Sequence, residues 1–188
     1  MSRIMRKDLG VKPYLYPQLV LIIGTYDQDG NPNAMNAAWG GMADYDKVIV
    51  CMSAHKTTEN IAITNEFTIS IGDEAHLIAC DYVGIVSQNK EPNKMQKAGF
   101  TTMKSQYVNA PIINELPLCL ECKLLKILEE DLYLAQIVNV NACEEILDDK
   151  GRVSLEKFVP ISYDPSTHGY YRVSSRVGNA FSDGNQLK

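Results

Sequence analysis

Two long apolar ribbons divided by three consecutive acids constrain this chain most. Leu116 to Leu128 and Leu132 to Leu147 are separated only by Glu129, Glu130 and Asp131. So short a connection reads as a hairpin between antiparallel neighbours. In the second ribbon, Leu134, Gln136, Val138 and Val140 fall on one face and Ala135, Ile137, Asn139 and Asn141 on the other. The turn Asp148-Asp149-Lys150-Gly151 follows. The first half repeats the pattern. Leu19 to Tyr26 is rich in branched residues and ends at Asp27-Gln28-Asp29-Gly30-Asn31-Pro32, a hairpin turn by composition. The chain returns through Asn33 to Trp39, where Gly40-Gly41 allows a bulge or close backbone approach. Lys47 to Ser53, Phe67 to Ile71 and Gly169 to Phe181 read as further strands. Helices are expected near Thr57, with a threonine cap, over Ala75 to Val86, and over Pro92 to Ala98, closed by Gly99. Strands outnumber helices. The expected fold is mainly β with inserted helices, an antiparallel barrel. No linker or repeat divides residues 1–188, so one domain is expected.

Composition narrows the function. A net charge of −5 without a basic run argues against sequence-independent nucleic-acid binding, which needs phosphate neutralisation. No stretch approaches the ~18 apolar residues of a membrane span, and no secretory apolar region is present. Five irregularly spaced cysteines fit a reduced, cytoplasmic setting. G-x-G-x-x-G, G-x-x-x-x-G-K-[ST] and H-E-x-x-H are absent, so classical dinucleotide, P-loop and zincin chemistry is unsupported. Cys119-Leu120-Glu121-Cys122 falls in a strand. Residues three apart on a strand face opposite sides, so these thiols read as structural rather than as a redox pair. His55, His76 and His168 have no metal-ligand spacing.

Two segments can carry chemistry. From Ser53 to Asn60 a strand ends, Lys56, Thr57 and Thr58 follow, and a helix begins. Free N–H groups and the helix dipole favour an anion there, although an ordinary capped helix with a solvated lysine explains the same residues. From Asn33 to Gly41, small residues, amides and glycines flank the only tryptophan. Such a strip can offer backbone groups to a flat heteroaromatic ligand, or it can be a tight edge that packs Trp39 as a core aromatic.

Four blocks in order resemble one family. GTYDQDGNPNAMNAAWGG is similar to the opening signature of the flavoredoxin-like flavin reductases of the FMN-binding split-barrel superfamily. CDYVGIVSQNKEPNKMQKAGFT, NELPLCLECKL and YDPSTHGYYRVSSRVGNAFSDG resemble its later segments. The resemblance covers about Pro17 to Gly184. It implies a split β-barrel, a homodimer and noncovalent FMN near the dimer interface. By position, Asn33, Asn36, Ala37, Ala38 and Trp39 line the flavin. Ser53, Lys56, Thr57 and Thr58 bind its phosphate or ribityl chain. Val86, Ser87 and Lys94 close over it, with Lys94 a second phosphate or ring contact. Tyr171 takes the place of an aromatic near the cofactor, from the same or the partner subunit. No catalytic acid, base or metal ligand is assigned.

The implied activity is an oxidoreductase passing electrons from NAD(P)H or a ferredoxin-like donor through FMN to an acceptor. A non-enzymatic flavin- or heme-binding module on the same barrel is the alternative. An oxidase of the pyridoxamine-phosphate type would need a second basic cluster that the sequence lacks. Three departures bear on affinity. Gln88-Asn89 stands where the family shows Gly-Arg, Met95 replaces a phenylalanine, and His55-Lys56 stands where an arginine is frequent. Lysine lacks the bidentate fork of arginine.

Overall fold

A computed structural model describes residues 4–188. In chain order the elements are β1 (Gln18–Leu19), β2 (Leu21–Tyr26), β3 (Pro32–Ala37), β4 (Gly40–Asp44), β5 (Lys47–Cys51), α1 (Lys56–Thr64), β6 (Glu66–Ile71) and α2 (Leu77–Ile85). Then come α3 (Lys94–Ala98), β7 (Thr102–Lys104), β8 (Pro111–Ile113), β9 (Leu118–Leu128), β10 (Leu132–Ala142), β11 (Ile161–Asp164) and β12 (Gly169–Arg172). The principal sheet is antiparallel, in the order β3-β2-β6-β9-β10-β5-β4. β3 and β4 are its opposite edges, yet only Ala38 and Trp39 separate them in the chain. A flat sheet of this width puts its edges about 29 Å apart at ~4.8 Å per strand. Three Cα steps reach about 11 Å. The sheet must therefore curl until its edges approach along a seam, and a hydrogen bond from the Cys51 amide to the Trp39 carbonyl (2.8 Å) carries the β4–β5 ladder one step into the connector. The result is the split half-barrel that the strand pattern predicts.

The apolar run opening the first hairpin is continuous because both of its faces are covered. Leu21 and Ile23 point into the barrel with Phe67, Ile69 and Ile71. Val20 and Ile22 point outward against Cys80 and Val83 of α2 and Phe100. The β2–β3 turn is held by Asp27, whose carboxylate accepts from the amides of Asp29 (2.9 Å) and Asn31 (2.8 Å) and from the Asn31 side chain (3.0 Å). Gly30, at φ +80°, supplies the left-handed position.

Several expectations are corrected. The tail strand stops at Arg172 rather than Phe181. After Val173 donates to Pro160, residues 174–181 meet no partner strand, and Val177 and Phe181 are fully exposed. The second long ribbon ends at Ala142, where a one-turn 3-10 segment, Glu144–Ile146, begins. Two irregularities in the β9–β10 ladder, between Leu134 and Ala135 and between Ile137 and Asn139, break its strict alternation. Gly40-Gly41 opens an edge strand, and at Gly40 the expected close approach is present, since a Cβ there would lie 2.7 Å from Leu21 Cδ1 and 3.1 Å from the Ile49 carbonyl. The helix near Thr57 begins at Lys56, with His55 at the cap position. Thr58 acts from the third helical position, its hydroxyl accepting from the His55 amide (2.9 Å) and donating to the His55 carbonyl (2.8 Å).

Candidate functional site

The seam holds two adjoining cavities. The larger, about 330 Å³, is lined by Met35 to Trp39 from β3 and the connector after it, and by Cys51 to Ser53 at the end of β5. Asp81, Gly84 and Ile85 of α2 and Tyr163 and Tyr170 of β11 and β12 complete it. The smaller, about 160 Å³, is lined by Asn33, Lys56, Thr57, Val83, Val86, Ser87, Gln88 and Lys94. Met35, Asn36, His55, Gly84 and Ile85 line both, so the two form one cleft. β3 is a sheet edge, which leaves main-chain donors and acceptors along this strip without a strand partner.

Local structure explains the placement. Asn33 reaches from β3 to α1, its amide donating to the Thr57 hydroxyl (2.8 Å). Asn60 makes the matching bond to Thr25 of β2 (3.0 Å). These contacts aim the start of α1 at the smaller cavity, where first-turn amides have no partner within the helix. On the other wall, Asn36 donates to the Cys80 carbonyl of α2 (3.1 Å). A Cβ on Gly84 would lie 2.9 Å from the Asn36 Cβ. Glycine is what lets α2 approach β3 this closely.

The electrostatics are divided between the two ends. Lys94 is 2% exposed and lines the smaller cavity, and no hydrogen-bond acceptor or carboxylate among the described residues pairs with its ammonium. Burial pushes its pKa down to about 8. Lys56, beside it, is only loosely paired with Glu59 (3.9 Å). A buried, uncompensated ammonium is costly and is most simply accounted for by an anion it is built to receive. At the far end, the Tyr170 phenol donates to Asp81 (2.7 Å). Burial first, then this bond, raises its pKa. Tyr163 bonds His168 through Nδ1 (2.8 Å), and its ring lies 6.1 Å from that of Tyr170.

The structure brings most of the expected residues together. Asn36, Ala37, Ala38, Trp39 and Ser53 line the larger cavity, and Asn33, Lys56, Thr57, Val86, Ser87 and Lys94 the smaller. Trp39 is 44% exposed at the mouth rather than a packed core aromatic. Thr58 stands outside both cavities, its hydroxyl committed to the helix cap. Tyr171 also stands outside, on the exposed side of β12, while its neighbour Tyr170 faces in. Side chains alternate along a strand, so one register step separates the two. Lys94 and Lys56 line the same, smaller cavity. Sequence reasoning missed Asp81, Gly84, Tyr163 and Tyr170. The adjacent tyrosines in GYYR were the available signal. The C-x-x-C thiols diverge as expected. Cys122 packs in the barrel interior and Cys119 lies opposite Ser70. Burial drives the Cys119 pKa up to about 12 and raises that of Cys122, so neither is a reactive thiol.

Fold and site together define a split-barrel protein whose seam joins a flat-walled cavity to a cationic one. The chain belongs to the flavin reductase like domain family, whose model matches residues 14–171. It is similar to the solved flavoredoxin of Desulfovibrio vulgaris (Miyazaki F), with 34% identity and a TM-score of 0.92 over 96% of this chain and 100% of that one. It shares its fold with an FMN-binding domain of a flavin reductases-like enzyme from Shewanella baltica OS155, at 21% identity and a TM-score of 0.78, covering 86% of this chain and 89% of the other. A protein of Aeropyrum pernix is 24% identical over 155 residues, 79% of this chain but 58% of that protein, so this chain spans little more than half of that relative's length.

Proposed function

We propose that the chain binds FMN and works as a flavin reductase or flavoredoxin, moving electrons from NAD(P)H or a ferredoxin-like donor to an acceptor, as a homodimer in the reducing cytoplasm. The carrying observation is the buried, acceptor-free Lys94 ammonium at the phosphate-sized end of a cleft whose other end has room for a planar ring. The residues fit such a cofactor. Lys94, Lys56, the Thr57 hydroxyl and the first amides of α1 form an anion-binding set. Trp39 and the β3 edge offer a flat wall with main-chain hydrogen-bonding groups. Family membership and the flavoredoxin likeness support the same reading.

Bound FMN would supply two-electron chemistry that no side chain here performs. The chain's own work is to hold and orient. Lysine charges fix the phosphate end, and the Asn36–Cys80 and Gly84 contacts keep α2 at a set distance from β3. Trp39 leaves the mouth open for a donor. Delivering a hydride depends on alignment more than on a proton relay. The test is a visible absorption spectrum of the purified full chain with added FMN, followed by anaerobic NADH and NADPH titration. A bound-flavin spectrum that bleaches with one nucleotide supports the reading. A protein that leaves flavin absorbance and fluorescence unperturbed overturns it.

A further inference from the structure

Asp81 carries the one carboxylate among the described residues that line the two cavities. It faces the larger cavity from α2, and the Tyr170 phenol clamps it from β12 at 2.7 Å. The lysines that could offset it, Lys56 and Lys94, line the smaller cavity instead. The geometry points to Asp81, held by Tyr170, as a residue that lowers the reduction potential of a flavin in the larger cavity, which rests on the FMN reading above.

The reasoning is electrostatic. Reduction adds negative charge to the ring system. A fixed carboxylate on the same cavity wall opposes that gain, and in a partly desolvated cleft the opposition exceeds its value in water. Tyr170 acts through Asp81 as a positioning residue, because its hydrogen bond draws charge off the carboxylate and fixes where it points. The two residues therefore have opposite signatures. Removing the charge by Asp81→Asn eases reduction. Removing the phenol by Tyr170→Phe leaves a less compensated carboxylate and makes reduction harder. A purely structural role would not separate the variants by sign.

The experiment is a redox titration against reference dyes of the FMN-loaded full chain, wild type beside D81N and Y170F. In D81N the preference for reduced over oxidised FMN rises about tenfold, an upward shift of about 30 mV for a two-electron couple. In Y170F the potential falls. A D81N potential that is unchanged or lower overturns the inference while leaving FMN binding intact, as does a Y170F potential that rises. Should D81N fail to fold, Y170F decides alone, a fall supporting the inference and any other result overturning it. A wild type that takes up no FMN overturns the functional reading and this inference together.

Discussion

At the residue scale Lys94 carries the most free energy at risk. Its folded pKa of about 8 lies below the ordinary 10.5. Between these values the unfolded chain binds more protons, so stability of the ligand-free protein rises with pH across that window. Each unit is worth 1.36 kcal/mol, so at neutral pH the buried charge costs on the order of 3 kcal/mol. Lys94→Met is therefore expected to raise the melting temperature of the ligand-free protein, as read by differential scanning calorimetry. The same change removes a charge-assisted bond worth ~1.5–3 kcal/mol, weakening FMN binding roughly 10- to 100-fold. Wild-type affinity, followed by fluorescence quenching, should hold up to about pH 8 and then decline as the ammonium discharges, and the variant should lack that decline. A variant that destabilises the free protein without touching affinity would make Lys94 structural. Lys94 entered the candidate site only through family resemblance. In NKMQKAG, Lys94 looks no different from Lys97, a solvated helix residue, and burial is a tertiary property. The strand end, lysine, hydroxyls and helix start around Lys56 were readable from local order, which fits a capped helix with a solvated lysine as well as an anion-binding elbow.

At the element scale the decisive contact is α2 against β3. Gly84→Ala inserts a methyl 2.9 Å from the Asn36 Cβ, and backbone must shift to admit it. Overpacking of this kind costs about 1–3 kcal/mol. Chemical denaturation should show that loss, and FMN affinity should drop with it, since Gly84 lines both cavities. The cap of α1 makes a second test. Thr58→Val removes both hydroxyl bonds to His55 and is expected to cost about 1 kcal/mol, with little change in flavin binding because Thr58 lines neither cavity. Long strands were legible because their patterns run over many residues. β7, β8 and β11 were not, since three or four residues carry too little periodicity to distinguish a strand from a loop. Tyr171 was named through the family resemblance, and in this chain it is Tyr170 that lines the larger cavity. Sequence supplies the alternation along a strand but not its phase against a cavity.

At the scale of the whole molecule, ligand and assembly become visible. Saturation at 100 times Kd adds about 2.7 kcal/mol, a rise of roughly 5–10 °C in Tm for a chain of this length. Sedimentation should return twice the 21.0 kDa chain mass if the homodimer forms. Leu125, Ile127 and Val140 on β9 and β10 stand about half exposed, and Val177 and Phe181 stand wholly so, which is apolar surface for a second copy to cover. A monomeric mass at micromolar concentration would remove the dimer from the reading. The curled sheet also carries a consequence of its own. Its opposite margins are joined by a hinge of just two residues, Ala38 and Trp39, and that hinge forms part of the lip of the cleft. Splicing two glycines beside Trp39 would give the lip slack. Under the FMN reading, flavins with bulky ring substituents, too wide for the native gap, would then gain admission at the expense of grip on FMN itself.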